Sequence, residues 1–491
     1  MSHVIGIDVG NFSVRGLLLD RHGKVITSAR LPHEIRQPAA GLAEHVAQED
    51  WWPGLVRVIR QLLEQSRIRP ETIDALCTSL PEKTLLLLDR HFEPLHPAIL
   101  GQLDSRAESG LAALRRQWPD SHLQHRSRLP LHASALLPLL HTLLRQHPQL
   151  GAQTHHLAIG NSYLLQRLTG HFVTDYHTAA LSGTFETASM SWARDMLASA
   201  GALEWMPQLH WATDMAGALG REAARQTGLS TGTPVLTGSS ARLAETLHNG
   251  ATQPGNMTIH YGTEVSLIQP GRQYHTDTGL WNLPYLFPDS RCLMGELLQS
   301  FRGLRHGQPN EHHAFEDMSY EAGHSPAGAD ELITLPWFQG SRTPVHDPQA
   351  KALLFGLKLS HSRSDIFRSL LEGVSHTMTA NIRALQQAEA TQMIYADGLG
   401  IHNRSWLQAT SDIAGLHQSV RENPFGAELG NALLAAIQVG NLKLADVEHI
   451  NPVREVIVPR PELARMYQRH HRIFQALYLQ NRALMQRMDI F

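Results

Sequence analysis

Residues 4–20 constrain this chain more than any other stretch. They read Val4-Ile5-Gly6-Ile7-Asp8-Val9-Gly10-Asn11-Phe12-Ser13-Val14-Arg15-Gly16-Leu17-Leu18-Leu19-Asp20, and a turn follows from Asp20 to Gly23. An apolar run meets a carboxylate, a glycine and small polar residues. A second apolar run then leaves. This pattern predicts a β-hairpin with a tight polar bend. Such a bend suits a nucleotide phosphate. Gly10 lets backbone N–H groups approach closely, Asn11 and Ser13 can donate hydrogen bonds, and Asp8 can hold a magnesium ion or its water shell. An ordinary buried hairpin, with Asp8 capping its own turn, fits the same letters.

Whatever the hairpin does, it heads a chain of ordinary globular character. Of 491 residues, 42% are hydrophobic and 18% charged, which together with the length predicts two or three domains. The net charge of −3 argues against nucleic-acid and membrane-surface partners, which need a basic face. Two cysteines, Cys77 and Cys292, cannot make a disulfide framework, so a reducing, cytoplasmic setting is expected. Asp8 interrupts the first apolar stretch, so no secretory leader is expected there. No run approaches the ~18 apolar residues of a membrane span. Histidine is frequent, at 31 residues, but none sits in a metal-binding spacing, and no structural metal is expected from them.

Strands and helices alternate along the chain, which predicts an α/β fold. Trp51, Trp52, Leu55, Val56, Val58, Ile59 and Leu62 predict a helix over 41–66. Strands are expected at 73–80 and 84–88, and helices across 111–150. Gly170 should end a helix, and a polar loop follows around Asp175. A strand at 235–237 enters a small-residue turn from which a helix leaves, a place where open sheets bind ligands. Near the middle the opening pattern returns: Met257-Thr-Ile-His-Tyr-Gly262-Thr263-Glu264-Val-Ser-Leu-Ile268 is again strand, glycine bend, strand. Two copies of one unit suggest a duplicated, two-lobed fold. Further on come a helix at 365–388, a strand at 393–396, the glycine loop Asp397-Gly398-Leu399-Gly400 and a helix starting near Ser405. That helix would present free N–H groups to an anion or a purine edge. Another helix opens at Glu428, and a last one in 461–489 should cover the second lobe with Leu463, Met466, Tyr467, Ile473, Phe474, Leu477 and Tyr478.

Taken in order, these pieces resemble the FGGY carbohydrate kinases over nearly the whole length. Asp8-Val-Gly-Asn-Phe-Ser-Val-Arg15 is similar to the family's first phosphate motif, and Gly262-Thr263 to its second. Leu103-Asp104-Ser105-Arg106 resembles the sugar-contacting loop, and Thr169-Gly170 through Asp175 a further family segment. Arg342-Thr343-Pro344 through Phe355-Gly356-Leu357 is the most specific match, and Gly398 and Gly400 fall where adenosine-binding glycines lie. The resemblance implies two actin-like (ribonuclease H-like) α/β lobes with an inter-lobe cleft, 1–248 binding mainly sugar and 249–491 mainly ATP. It implies ATP and Mg2+ as cofactors and a small sugar, ketose or polyol as substrate. Asp8, with Gly10, Asn11, Ser13 and Arg15, would cradle phosphate and magnesium. Gly262 and Thr263 would close on the γ-phosphate, and Asp104, Arg106 and Asp175 would contact substrate. A homodimer is left open.

The resemblance fails at one position. The family's catalytic aspartate lies in a Gly-Gly-x-Asp turn entering a helix, and here Ala241 takes its place. Alanine can neither accept a proton nor hold magnesium. Glu245, one helical turn on, is the nearest carboxylate in sequence. Two accounts follow: an engineered alanine, or a natural pseudokinase that binds sugar or nucleotide without transfer. An actin-like assembly ATPase would leave the sugar-loop matches unexplained. The Met-His of pentulose kinases is replaced by Leu80-Pro-Glu-Lys83, and a tryptophan by Leu103, so D-xylulose is not implied.

Overall fold

A hairpin satisfies the apolar pattern at the start of the chain. In the computed structural model of the protein, β1 (His3–Val9) and β2 (Ser13–Asp20) pair antiparallel from His3↔Asp20 to Val9↔Val14. The structure describes all residues except 1, 120–122, 124–125, 128, 263, 274, 276–277, 298–319, 423–424 and 489–491. β3 (Val25–Pro32) joins β2 antiparallel. On the other edge of β1, strand Ile73–Ser79 runs parallel, then Pro234–Leu236 parallel, then Met215–Ala218 antiparallel.

Every residue of β1 is buried, as befits a strand paired on both edges and covered on both faces. Side chains alternate between those faces. One face takes α1 (Trp51–Ser66), which buries Trp51, Trp52, Leu55, Val58, Ile59 and Leu62 at helical spacing. The other takes the helix Ala427–Gln438. A Cβ added at Gly6 would stand 2.1 Å from Glu428 O and 2.4 Å from Ala432 N, so only glycine admits this helix backbone. The same helix lies close against Ala241–His248, where a Cβ at Gly430 would stand 1.9 Å from Ala244 O.

The second sheet repeats the plan. Asn256–Tyr261 pairs antiparallel with Val265–Gly271 and parallel with Met393–Asp397; Gln418–Arg421 follows parallel and Val453–Ile457 antiparallel. Trp281–Pro284 and Arg291–Leu297 complete its seven strands. Both sheets show the same succession of antiparallel, parallel, parallel and antiparallel pairings about a central hairpin. This is the duplicated, ribonuclease H-like α/β architecture expected from the sequence. Contacts divide the chain into two compact units. One is Met1–Gly250 with Leu283–Arg291 and Phe425–Ile450; the other is Ala251–Asn282, Cys292–Pro424 and Asn451–Phe491.

The core of the second unit is built on the helix Arg363–Ala388, started by a capping box between Ser362 and Asp365. It packs with Arg404–Ala414, whose Trp406 is fully buried. The final helix, Ala464–Arg487, buries Tyr467, Phe474, Leu477 and Tyr478. The helix expected over 41–66 begins only at Trp51, so its first ten residues are not helical. Glu44 and His45 instead pair as a short strand with Ala98–Leu100, and Asp50 accepts a hydrogen bond from the Val46 N–H at 2.8 Å. No described helix is long and apolar enough to cross a membrane.

Two outcomes follow from this packing. Gly430→Ala drives a methyl group into the Ala244 carbonyl, and overpacking of this kind costs about 1–3 kcal/mol; its melting temperature should fall by several degrees in differential scanning calorimetry. The second concerns acid. In the second unit His471 Nδ1 lies 3.2 Å from His376 Nδ1. Burial holds His471 down to about 4 and His376 well below its usual range. A histidine depressed in the folded state leaves the unfolded chain binding more protons, so stability present above pH ~6.5 should be lost as pH falls towards 4. The melting temperature should drop over that window, and less steeply in His471→Phe.

Candidate active site

The polar bend of the hairpin is built around Asp8, which is 1% exposed. Its two oxygens are divided. Oδ1 accepts from Ser79 Oγ at 2.8 Å, and Oδ2 accepts from Arg15 Nη2 at 2.8 Å. Ladder register supplies both partners, because Asp8 stands opposite Arg15 on β2 and opposite Ser79 on the parallel strand. The helix Ala427–Gln438 adds two more groups. Asn431 Nδ2 donates to Ile7 O at 2.7 Å and lies 2.8 Å from Ser79 Oγ, and Glu428 Oε2 lies 3.5 Å from Arg15 Nε. Burial pushes the Glu428 carboxyl up; Arg15 opposes this and Asp8 adds to it. Burial works against the charge of Arg15, but Asp8, Glu428 and Glu245 hold its guanidinium above the ordinary value.

Glu245 belongs to this cluster. A Cβ added at Gly426 would meet Arg15 Nη1 at 2.9 Å and Glu245 Oε1 at 3.3 Å. Two histidines that the sequence did not single out hold the bend itself. His33 Nε2 lies 2.8 Å from Gly10 O and His45 Nε2 3.0 Å from Asn11 O, so each ring donates to a loop carbonyl. The Gly10 N–H donates to Ser13 O at 3.0 Å. Burial, with His33 alongside, holds His45 below its usual range.

Ala241 opens the helix Ala241–His248, with Ser240 as its N-cap accepting from the Leu243 N–H at 3.3 Å. The turn before it is tightly fixed. Gly238 has φ +65, and a Cβ there would stand 2.2 Å from Thr78 O. The Asn161 amide donates to Thr78 O at 2.9 Å and Thr237 O at 2.8 Å, tying the ends of two parallel strands together. Asp175 Oδ1 accepts from the Thr178 N–H at 3.1 Å and from Ser239 Oγ at 2.7 Å. Asp175 therefore positions the turn that carries Ala241.

A second charged group surrounds the same helix end. Glu82 Oε1 accepts from Gln102 Nε2 at 2.9 Å and lies 3.7 Å from Arg242 Nε. His177, 1% exposed, has its Nδ1 2.8 Å from Pro284 O, and burial keeps its imidazole below the usual range. The sequence set Leu80-Pro-Glu-Lys83 apart as a departure from the family but gave Glu82 no role, and it did not single out Gln102 or His177. The available signal was Glu82-Lys83, two charges placed directly after an apolar strand and both buried in the fold.

The remaining expected residues fall into two groups. Asp104 and Arg106 are together, but they are engaged with each other and with Glu44. Asp104 Oδ2 also accepts from the Ala43 N–H at 2.8 Å, and Arg106 Nη2 lies 2.6 Å from Glu44 Oε1. In the second unit, Gly262, Gly398 and Gly400 gather around Tyr261. Gly398 has φ +88, and a Cβ there would stand 2.6 Å from Tyr261 O; a Cβ at Gly400 would stand 2.8 Å from Tyr261 Cβ. Thr263 lies outside the described residues. In the same unit Arg342 pairs with Glu296, and Thr343 Oγ1 lies 2.9 Å from Glu296 O.

A duplicated ribonuclease H-like fold, with an aspartate at the bend of its first hairpin, defines a class of phosphotransferases. The chain belongs to the FGGY family of carbohydrate kinases: it matches the family's N-terminal domain over residues 3–245 and its C-terminal domain over 270–439. It is 26% identical to a xylulose kinase of Bacillus subtilis, covering 90% of this chain and 89% of that one. It is 21% identical to a gluconokinase of Bacillus licheniformis, covering 91% and 89%. Its fold matches the crystal structure of xylulose kinase from Rhodospirillum rubrum with a TM-score of 0.86 and 27% identity, covering 99% and 100%.

The saturated bonding of Asp104 makes a testable point. Asp104→Ala leaves Arg106 paired with Glu44 alone and takes the acceptor from the buried Ala43 N–H, and an unsatisfied buried donor costs about 1–3 kcal/mol. Thermal unfolding should show a loss of stability of that order.

Proposed function

We propose that the protein transfers the γ-phosphoryl group of ATP to a hydroxyl of a small sugar, ketose or polyol. The observation that carries this reading is the Asp8 carboxylate, held between Ser79 and Arg15 at the bend of the hairpin. Phosphoryl transfer depends on positioning and charge neutralisation. In this reading Gly10, Asn11, Ser13 and Arg15 hold nucleotide phosphates. Gly262 and Thr263 serve the γ-phosphate, and Gly398 and Gly400 lie against adenosine. The donor set around Asp8 suits magnesium. Asn11 Oδ1 is buried without a partner, an acceptor free for a metal-bound water, and Asp8 would hold the ion. Magnesium, when bound, neutralises charge on the phosphates. Asp104, Arg106 and Asp175 support the substrate side chiefly by fixing the loops around it, since their polar atoms are largely committed to one another and to backbone.

A second reading is favoured by Ala241 alone: a pseudokinase that binds sugar or nucleotide as a sensor. Thermal shift with Mg·ATP and ADP release over a panel of ketoses, polyols and sugar acids separate the two, using the protein and its Ala241→Asp variant. The kinase reading expects Mg·ATP to raise the melting temperature and at least one form to release ADP with one acceptor. Binding without release from either form supports the sensor, and neither binding nor release overturns both.

A further inference from the structure

Transfer to a hydroxyl requires an acceptor for its proton, and the Ala241 methyl group cannot be one. Among the described residues, Glu245, Asp175 and Glu82 lie on or are bonded to this helix start and the turn before it, and their surroundings differ. Glu245 turns towards Gly426 and Arg15, on the side of the phosphate bend. Asp175 uses Oδ1 twice, for the Thr178 N–H and Ser239 Oγ, and its Oδ2 is sealed from solvent with no partner. Asp175 is thereby committed to holding the turn that carries Ala241. Glu82 is arranged differently. Its Oε1 takes the Gln102 amide, and Arg242, the residue after Ala241, lies 3.7 Å from the same oxygen. Its Oε2 has no partner among the described residues and is not among the sealed atoms.

Building on the kinase reading above, we propose that Glu82 is the catalytic base of this chain, supplying from the loop after Ile73–Ser79 the carboxylate that position 241 lacks. As the acceptor hydroxyl oxygen bonds to the γ-phosphorus, its proton passes to Glu82 Oε2. The bond between the γ-phosphorus and the bridging oxygen breaks, and ADP leaves with that electron pair. Glu82 then returns the proton to water. Arg242 and Gln102 are positioning residues that orient the carboxylate.

The experiment uses the full-length protein with Mg·ATP and the same panel of ketoses, polyols and sugar acids. Glu82→Gln keeps the shape and removes the basicity. Its kcat should fall by about 10²–10⁴-fold, while the KM for ATP and the Mg·ATP-induced melting shift stay within about threefold and a degree or two of the parent. Glu82→Asp should retain part of the activity. Adding Ala241→Asp to Glu82→Gln should restore turnover, which a merely structural role for Glu82 would not allow. Unchanged kcat in Glu82→Gln overturns the assignment. So does loss of the melting shift along with activity, or a parent protein that binds Mg·ATP yet turns over nothing. The absence of both a Mg·ATP shift and ADP release, in the parent and its Ala241→Asp variant alike, overturns the kinase reading itself.

Discussion

The close approach of the helix Ala427–Gln438 to β1 is the constraint on which the rest of the first unit depends. Helix and strand meet where Gly6 has no side chain, and helix meets helix where Gly430 has none. Nothing larger fits at either contact. This packing brings Glu428 to Arg15 and Asn431 to Ser79. The charge on Arg15 is thus shared among three carboxylates from three separate stretches of chain. Remove the glycines and the cluster loses its geometry before any charged residue is altered.

Much of the fold was legible in the sequence because periodicity and glycine act locally. The hairpin, the strand Thr84–Leu88, the stop at Gly170 and the helix Arg363–Ala388 all follow from patterns read over a few residues. The short strand at Glu44 and His45 was not legible. Its reason is a partner at Ala98–Leu100 and an ion pair to Arg106, both far along the chain. Likewise, nothing in the letters 427–438 says which sheet that helix covers.

The site divides along the same line. Asp8 was visible as the carboxylate at the bend of an apolar hairpin and Arg15 through the family's phosphate motif, while their facing each other across the strand pair belongs to the fold. Gly398 and Gly400 were visible as loop glycines, though their packing on Tyr261 was not. His33, His45, Glu82, Gln102 and Arg242 carry no motif. Each acquires a role only through a partner brought near by the fold. Asp104 illustrates the converse: a motif match drew attention to a residue whose bonding is already complete.

The division of the chain has a consequence for the order of events during synthesis. The first unit lacks Phe425–Ile450 until the intervening second-unit segments have been made. At about 5–20 residues per second, the wait after Gly250 is on the order of tens of seconds. During that time the face of β1 around Gly6 lacks the helix that covers it, because that helix is made more than 170 residues after Gly250. The nascent first unit therefore keeps one face of β1 open until residues 425–450 have been made.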